Sequence, residues 1–406
     1  METKVYKDRL EEAAKLIREG GLVAVPTETV YGLAGSGLSE SAVKEIYRVK
    51  GRPEIKPLSL MVPGQEAMDR YCLDVSRAAR RLAEHFWPGP LTVVLKARPD
   101  VPEIVRAGGA TVGLRCPDHP LTLELLKLAE LPLAAPSANP SGAPSPKTAQ
   151  AVLSYFDGEI DAVIDGGECG IGLESTIIDM SQKPYRILRR GALDDASISA
   201  VLAEGLTVIG ITGGTGSGKT TALRELKKRG ALVIDCDEVY HELLRTRRDM
   251  LREIEESFSG VIVDEKLDRK ALGAMVFTDP DALERLNGLT HRYVSEEVQR
   301  RLADWAMQGG ELAAVDAIEL IGSGLAERCE AVIGILASRD RRVQRIMARD
   351  GISREYAEHR VDAQRSDSYF EENCTHILRN DFGIDKFIYD FNAVIEEVSK
   401  NGRAED

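Results

Sequence analysis

The chain has little of several things that would fix its class directly. Aromatic residues make up only 5% of its 406, and none interleaves with the basic strings as base-stacking platforms require. Positive charge is not in excess: the formal net charge is −13, which argues against a surface that wraps nucleic acid, since a phosphate backbone demands cations. The six cysteines (Cys72, Cys116, Cys169, Cys236, Cys329, Cys374) are scattered, with no C-x-x-C pair and no histidine at zinc-ligand spacing. That excludes a disulfide framework or a zinc ribbon and fits buried thiols in a reducing compartment. No apolar run approaches the ~18 residues needed to cross a bilayer. The first residues (Glu2, Lys4, Lys7, Asp8, Arg9) lack an apolar export core. The expectation is a cytoplasmic protein with no membrane association.

What is present is the composition of a folded chain, 43% hydrophobic and 29% charged. Its length exceeds one ordinary core, so two domains of about 200 residues each are expected. Helical spacing (Leu10, Ala13, Ala14, Ile17) runs over 7–19 and stops at Gly20-Gly21, before a strand at 22–25. Helix-like stretches at 40–49, 76–85 and 118–129 interleave with strand-like runs at 91–96, 111–114, 132–135, 160–164 and 176–179. The mixture predicts an α/β fold. A last helix over 194–204 ends at Gly205, which sets the expected domains at 1–205 and 206–406. The second reads as strand, phosphate loop, helix, strand 231–234, several helices, strands 312–315 and 331–337, then a helical tail. That is the order of a parallel-sheet phosphate-loop kinase.

The sharpest motif is Gly213-Gly214-Thr215-Gly216-Ser217-Gly218-Lys219-Thr220, which matches G-x-x-x-x-G-K-[ST] at every fixed position. An apolar run (206–211) precedes it and a helix-like run beginning at Thr221 follows. Small residues let the backbone curl until successive N–H groups face phosphate oxygens, and the helix start adds its dipole. Lys219 then reaches the β- and γ-phosphates, and Thr220 holds magnesium. Asp235 and Asp237 close the next strand and by alternation share a side. Asp237 is expected to accept or orient the proton of an attacking hydroxyl, with a helix N-cap as its alternative role. Arg341, Arg345 and Arg349 recur every four residues, as either a solvated basic face or a phosphate-clamping lid.

The first half lacks such a loop. Its cations and short donors instead gather just past strand-like runs: Lys50, Arg52, Lys56 and Arg115, with Ser137, Asn139 and Ser175. A groove lined by these suits a polyphosphate, although each residue alone reads sooner as surface charge or cap. In order, the strings PTETVYGL, KGRP…KPLSL, WPGPLT, GLRCPDHP, APSANPSG and GLESTII resemble the YrdC-like threonylcarbamoyl-AMP synthase family over roughly residues 5–192. The family's K-x-R…S-x-N tetrad is matched by Lys50, Arg52, Ser137 and Asn139.

That resemblance implies a twisted, open α/β fold with a concave cavity. It also implies condensation of L-threonine, bicarbonate and ATP into threonylcarbamoyl-AMP and pyrophosphate, ahead of proteins that transfer the group to tRNA. Thr29, Arg115 and Ser175 would hold threonine. Lys50, Arg52, Lys56, Thr111, Ser137, Asn139, Ser145 and Arg189 would surround ATP, with Lys50 and Arg52 stabilising transition-state charge. Some relatives carry a histidine near Met61, and this chain does not.

GITGGTGSGKTT, VIDCDEVYHEL, LDRKALGAMVFTDPDALERLNGLTH and QRIMARDGISREYAEHRVDAQ in turn resemble dephospho-CoA kinase over about 206–385. This implies transfer from ATP to the ribose 3′-hydroxyl of dephospho-CoA. ATP would lie on Gly213 through Thr221 and Arg345, magnesium on Thr220, and Lys219 and Asp237 would be catalytic. Two segments depart from the family's usual text: Asp316 to Ser323, which lacks its proline and leucine pair, and His291-Arg292 in place of His-Pro. A different class stays open beside these enzymes: an RNA-contacting module with an ATP-gated regulatory domain, marked by binding that weakens steeply with salt.

Overall fold

The apolar spacing over residues 10–17 becomes, in the computed structural model, the helix Leu10–Arg18. The structure describes residues 2–404. This helix buries Leu10, Ala13, Ala14 and Ile17 against Pro120–Ala129, whose Leu125, Leu126 and Ala129 enter the same core. Burying a side chain such as Ile17 completely contributes about 1.5–3 kcal/mol. By its contacts the chain divides into two units: Met1–Gly205 with Met307–Gly309, and Leu206–Ala306 with Gly310–Asp406.

The first unit is built on a mixed sheet. From one edge its strands run Lys4–Tyr6, Ala162–Ile164, Val23–Val25, Gly32–Ser36, Leu133–Ala134, Ser59–Met61, Thr111–Arg115, Leu91–Ala97, Thr176–Asp179 and Arg186–Arg189. Cys72–Leu73 pairs off this path with Leu91–Ala97. It mixes parallel neighbours (Ser59–Met61 on Thr111–Arg115, Leu91–Ala97 on Thr176–Asp179) with antiparallel ones. The consequence for function is that the ends of several strands, distant in sequence, open onto one cavity.

The expected helices and strands of this unit are present within a few residues. The sequence pattern passed over the strands at Lys4–Tyr6, Gly32–Ser36, Ser59–Met61 and Arg186–Arg189 and the helix Ala149–Phe156. Gly32–Ser36 shows why. It is buried at every position and composed of Gly, Leu, Ala, Gly and Ser, so it shows no polar alternation to read.

The second unit holds a five-stranded, wholly parallel sheet in the order Leu232–Asp235, Leu312–Asp316, Thr207–Thr212, Ala331–Leu336, His376–Arg379. Its edge strand His376–Arg379 and the small hairpin of Ile262–Val263 with Lys266–Leu267 lay outside the sequence reading. The central strand Thr207–Thr212 is covered by the apolar faces of Lys219–Lys228 and the final helix Ile384–Ala404, through Ala222, Leu226, Phe387 and Phe391. Because the phosphate loop leaves this central strand, it opens at the carboxyl edge of the sheet, where ligands sit in such folds.

Candidate active sites

In the first unit the K-G-R string does its work through a helix end. Ser39 caps Glu40–Lys50 by accepting from the Ala42 N–H, and Gly51 closes it in a left-handed conformation (φ +56°) that favours glycine. Lys50 therefore sits in the last turn, facing inward, and Arg52 lies just beyond. The buried Lys50 ammonium donates to the carbonyls of Ser137 and Asn139, which ties the Ser-x-Asn string to the Lys-x-Arg string. Burial, reinforced by the nearby Arg52 charge and opposed by Glu174, brings its pKa down to about 8. Arg52 is pinned by the carbonyls of Lys56 (3.3 Å) and Pro57 (3.0 Å), and burial lowers its pKa too.

Beside them lies a cavity of about 180 Å³, whose walls include Arg52, Arg115, Ser137, Glu174, Ser175 and Arg189. Arg115, at the end of Thr111–Arg115, is buried and donates to Glu28 Oε1 (2.7 Å) and Thr29 Oγ1 (2.8 Å). Thr29 in turn shares a hydrogen bond with Thr27. Ser175 meets the Thr92 hydroxyl at 2.8 Å and accepts from Arg189 at 3.0 Å. Arg189 also faces Glu174 at 3.4 Å, and Ser145 donates to the same carboxylate at 2.9 Å.

Thus Thr29, Lys50, Arg52, Arg115, Ser137, Asn139, Ser145, Ser175 and Arg189 form one connected cluster. Of these, Arg52, Arg115, Ser137, Ser175 and Arg189 line the cavity, while Thr29, Lys50, Asn139 and Ser145 join it through hydrogen bonds to the wall; the Lys56 and Thr111 side chains do neither, and Lys56 is exposed. Two carboxylates went unremarked in the sequence. Glu28 and Glu174 stand inside strings already quoted, and an acid within a basic cluster was the available signal.

The second site forms where Thr207–Thr212 gives way to the loop and helix Lys219–Lys228. Gly213 takes φ +133°, and any Cβ there would strike the Ile335 carbonyl, so only glycine lets the loop pass the neighbouring strand. A cavity of about 430 Å³ follows, lined by Gly214, Thr215, Gly216, Gly218, Lys219, Thr220, Asp237, Asp316, Arg345, Arg349 and Arg360 among others. Gly213, Ser217 and Thr221 shape the loop from behind its surface. The Lys219 ammonium bonds the Gly213 carbonyl at 2.8 Å. Burial lowers its pKa, while Asp316, Asp237 and Asp235, in that order, resist the shift.

Asp316, the first residue of the divergent segment, ends Leu312–Asp316 facing this lysine. Burial raises its pKa to about 6, with Lys219 pulling the other way, and its Oδ1 is a buried oxygen without a partner. Asp237 is raised as well, by desolvation and then by the Asp235 charge.

Two expectations need correction here. The strand stops at Asp235, so Asp235 and Asp237 do not alternate along one strand. Asp235, not Asp237, is the N-cap: its Oδ1 accepts from the N–H groups of Asp237 (2.9 Å) and Glu238 (3.1 Å). The arginine row also divides its labour. Arg345 donates to the carbonyls of Gly216, Ser217 (both 3.1 Å) and Asn380 (2.9 Å), Arg341 stands 3.9 Å from Asp381, and Arg349 pairs with Asp350. Arg342, which sequence spacing passed over, is buried and donates to the Thr215 carbonyl at 3.0 Å. Gln364 grips the same residue, accepting from its N–H (2.8 Å) and donating to its hydroxyl (2.6 Å).

In the divergent segments, Ala317 and Ile318 line the cavity and Leu320 is buried behind Gly210. Arg292 is tied to Glu253. No helix among the described residues is long and apolar enough to cross a membrane.

Comparison with known proteins divides at the same place. Residues 15–191 match the Sua5/YciO/YrdC family model, described as telomere recombination, and residues 207–386 match the dephospho-CoA kinase model. The threonylcarbamoyl-AMP synthase of Pyrococcus abyssi is 46% identical over 203 residues, covering 49% of this chain and 60% of that protein. A putative threonylcarbamoyl-AMP synthase of Methanocaldococcus jannaschii is 36% identical over 187 residues, covering 46% of this chain and 87% of that one. The dephospho-CoA kinase of Geobacter sulfurreducens is 38% identical over 161 residues, covering 39% and 82%. The chain spans about three-fifths of the length of the P. abyssi protein.

Proposed function

Because the chain belongs to the Sua5/YciO/YrdC family in its first half and to the dephospho-CoA kinase family in its second, we propose that it is a bifunctional, ATP-using enzyme. The first unit makes threonylcarbamoyl-AMP and pyrophosphate from L-threonine, bicarbonate and ATP, and proteins that transfer the threonylcarbamoyl group to tRNA consume the product. The second phosphorylates the 3′-hydroxyl of dephospho-CoA. Free thiols at all six cysteines fit the reducing cytoplasm in which both activities would operate.

In the first reaction the threonine amine attacks bicarbonate and water is lost from its carbon to leave a carbamate, whose oxygen then attacks the α-phosphorus as pyrophosphate leaves. Negative charge grows on the equatorial and leaving oxygens. Fixed cations aimed there lower the barrier without rearranging during the step. Arg52 and Arg189 take the phosphates, while Lys50 locks the Ser137–Asn139 turn against them. Arg115, braced by Glu28, meets the threonine carboxylate beside Thr29 and Ser175. The observation that carries this reading is the joining of the Lys-x-Arg and Ser-x-Asn strings through the buried Lys50 ammonium.

In the second reaction Asp237 accepts the proton of the attacking hydroxyl, and its upward shift suits it to that role. Lys219 neutralises the β- and γ-phosphates. Magnesium fits the donor set, since Thr220 offers a hydroxyl and Asp316 a carboxylate oxygen that nothing else engages. Bound there, the ion would offset phosphate charge.

Product analysis of the intact chain tests both halves. Pyrophosphate is expected only with threonine and bicarbonate together, and CoA only with dephospho-CoA. Pyrophosphate release that ignores threonine would remove the first assignment, and no transfer to dephospho-CoA would remove the second.

A further inference from the structure

The phosphate cavity of the second unit has a wall made by two helices, Arg339–Asp350 and Arg354–Asp362, joined at Gly351. An apolar seam of Val343, Ile346, Ala357 and Val361 holds the pair together. Most of their surface arginines are closed into ion pairs: Arg339 with Asp362, and Arg354 with Glu358 and Asp340. Arg349 and Arg360 differ, because both line the cavity while sharing one carboxylate behind it. Asp350 takes Arg349 side-on (2.6 and 2.9 Å) and Arg360 end-on (2.7 Å). An acid in the last residue of a helix sits against the negative end of the dipole, a mildly unfavourable place that the two guanidiniums offset.

We propose that Asp350 is a resident counter-anion: it holds Arg349 and Arg360 at the cavity wall, and the incoming triphosphate takes both guanidiniums over. On this assignment Arg360, which lies eleven residues beyond the four-residue row, contacts phosphate as Arg349 does. The exchange is favourable because the arginine partners are about half exposed (58% and 41%), so each pair with Asp350 is screened and weak. A phosphate presents more charge and more acceptor oxygens to the same fork. Asp350 stays ionised at any working pH, since the Arg349 and Arg360 guanidiniums bring its pKa down to about 2. Removing its charge therefore needs substitution, not acid.

The inference rests on the kinase reading of this unit, and the test separates the two. MgATP binding to the full chain is measured by calorimetry, and the component lost in Lys219→Ala reports this site. Transfer to dephospho-CoA is followed in parallel. Asp350→Asn is expected to tighten MgATP by about three- to tenfold, since a competitor is gone. Arg360→Ala is expected to weaken it by about tenfold or more, with Arg360→Lys between, because a lysine keeps the charge but loses the fork. In the Arg360→Ala background the gain from Asp350→Asn should shrink, which is the coupling a double-mutant cycle reads. Asp350→Asn that binds MgATP no tighter, with Asp350→Ala agreeing, overturns the counter-anion. Arg360→Ala that binds like the parent overturns the phosphate contact. Affinities that follow the expected pattern without any transfer to dephospho-CoA support the proposal and remove the acceptor assignment alone.

Discussion

The two phosphate sites reach similar ends by opposite means. In the second unit the cradle is backbone: a loop of eight consecutive residues leaves the central strand, and one lysine completes it. In the first unit the cradle is side chains, gathered from the turn after Glu40–Lys50 and the ends of Thr111–Arg115, Thr176–Asp179 and Arg186–Arg189. A backbone cradle tolerates change at its variable positions but not in its glycines. A side-chain cradle depends on every buried pair that orients a guanidinium. The difference predicts where each unit is fragile.

The strongest way to break the comparison is to disable one cradle and watch the other. Lys219→Ala should cut transfer to dephospho-CoA by about a hundred- to a thousandfold while leaving threonine-dependent pyrophosphate release unchanged. Arg52→Ser should do the reverse. A shared loss would mean that the sites are not independent. Next in size is the brace of the side-chain cradle. Glu28→Ala strands the buried Arg115 charge, whose pair is only 8% and 13% exposed, and should destabilise the first unit by about 3–5 kcal/mol in urea unfolding. The screened pairs of Asp350 in the second unit cannot show a loss of that size.

A pH profile sharpens the contrast. On the proposed mechanism Lys50 holds the Ser137–Asn139 turn most firmly when charged, so pyrophosphate formation should fall as pH rises through about 8. On the proposed magnesium role Asp316 acts ionised, so transfer to dephospho-CoA should fall as pH drops through about 6. The limbs lie on opposite sides of neutrality. Stability follows a different sign for Lys50. Between about 8 and the ordinary lysine value the folded chain binds fewer protons than the unfolded one, so the first unit gains stability as its activity declines.

The smallest effect is at the helix cap. Asp235→Ala should cost about 1 kcal/mol in the second unit, and it should move the acid limb lower, because Asp235 raises both Asp237 and Asp316.

What could be read in advance follows the same division. Contiguous features were legible: the phosphate loop, the amphipathic helix Leu10–Arg18, and the parallel order of the kinase-like unit up to its last strand. Features assembled from a distance were not. Strand Gly32–Ser36 has no alternation because every position is buried. Alternation misled at Asp235 and Asp237 because it assumes a strand that continues, and the chain turns helical at Cys236. Glu28, Glu174 and Asp316 look unremarkable in sequence and gain meaning only from the cations they face. Arg360 falls outside the four-residue row because it belongs to the next helix.

The direct passage from strand to helix at Asp235 carries one more consequence. With no loop between them, and with the cap locking the first turn, Asp237 inherits the stiffness of the sheet and not that of a mobile segment. A ribose offers neighbouring hydroxyls one carbon apart. In the role proposed for Asp237, a carboxylate that cannot follow a displaced acceptor discriminates between them by distance alone, and regioselectivity becomes a property of the frame.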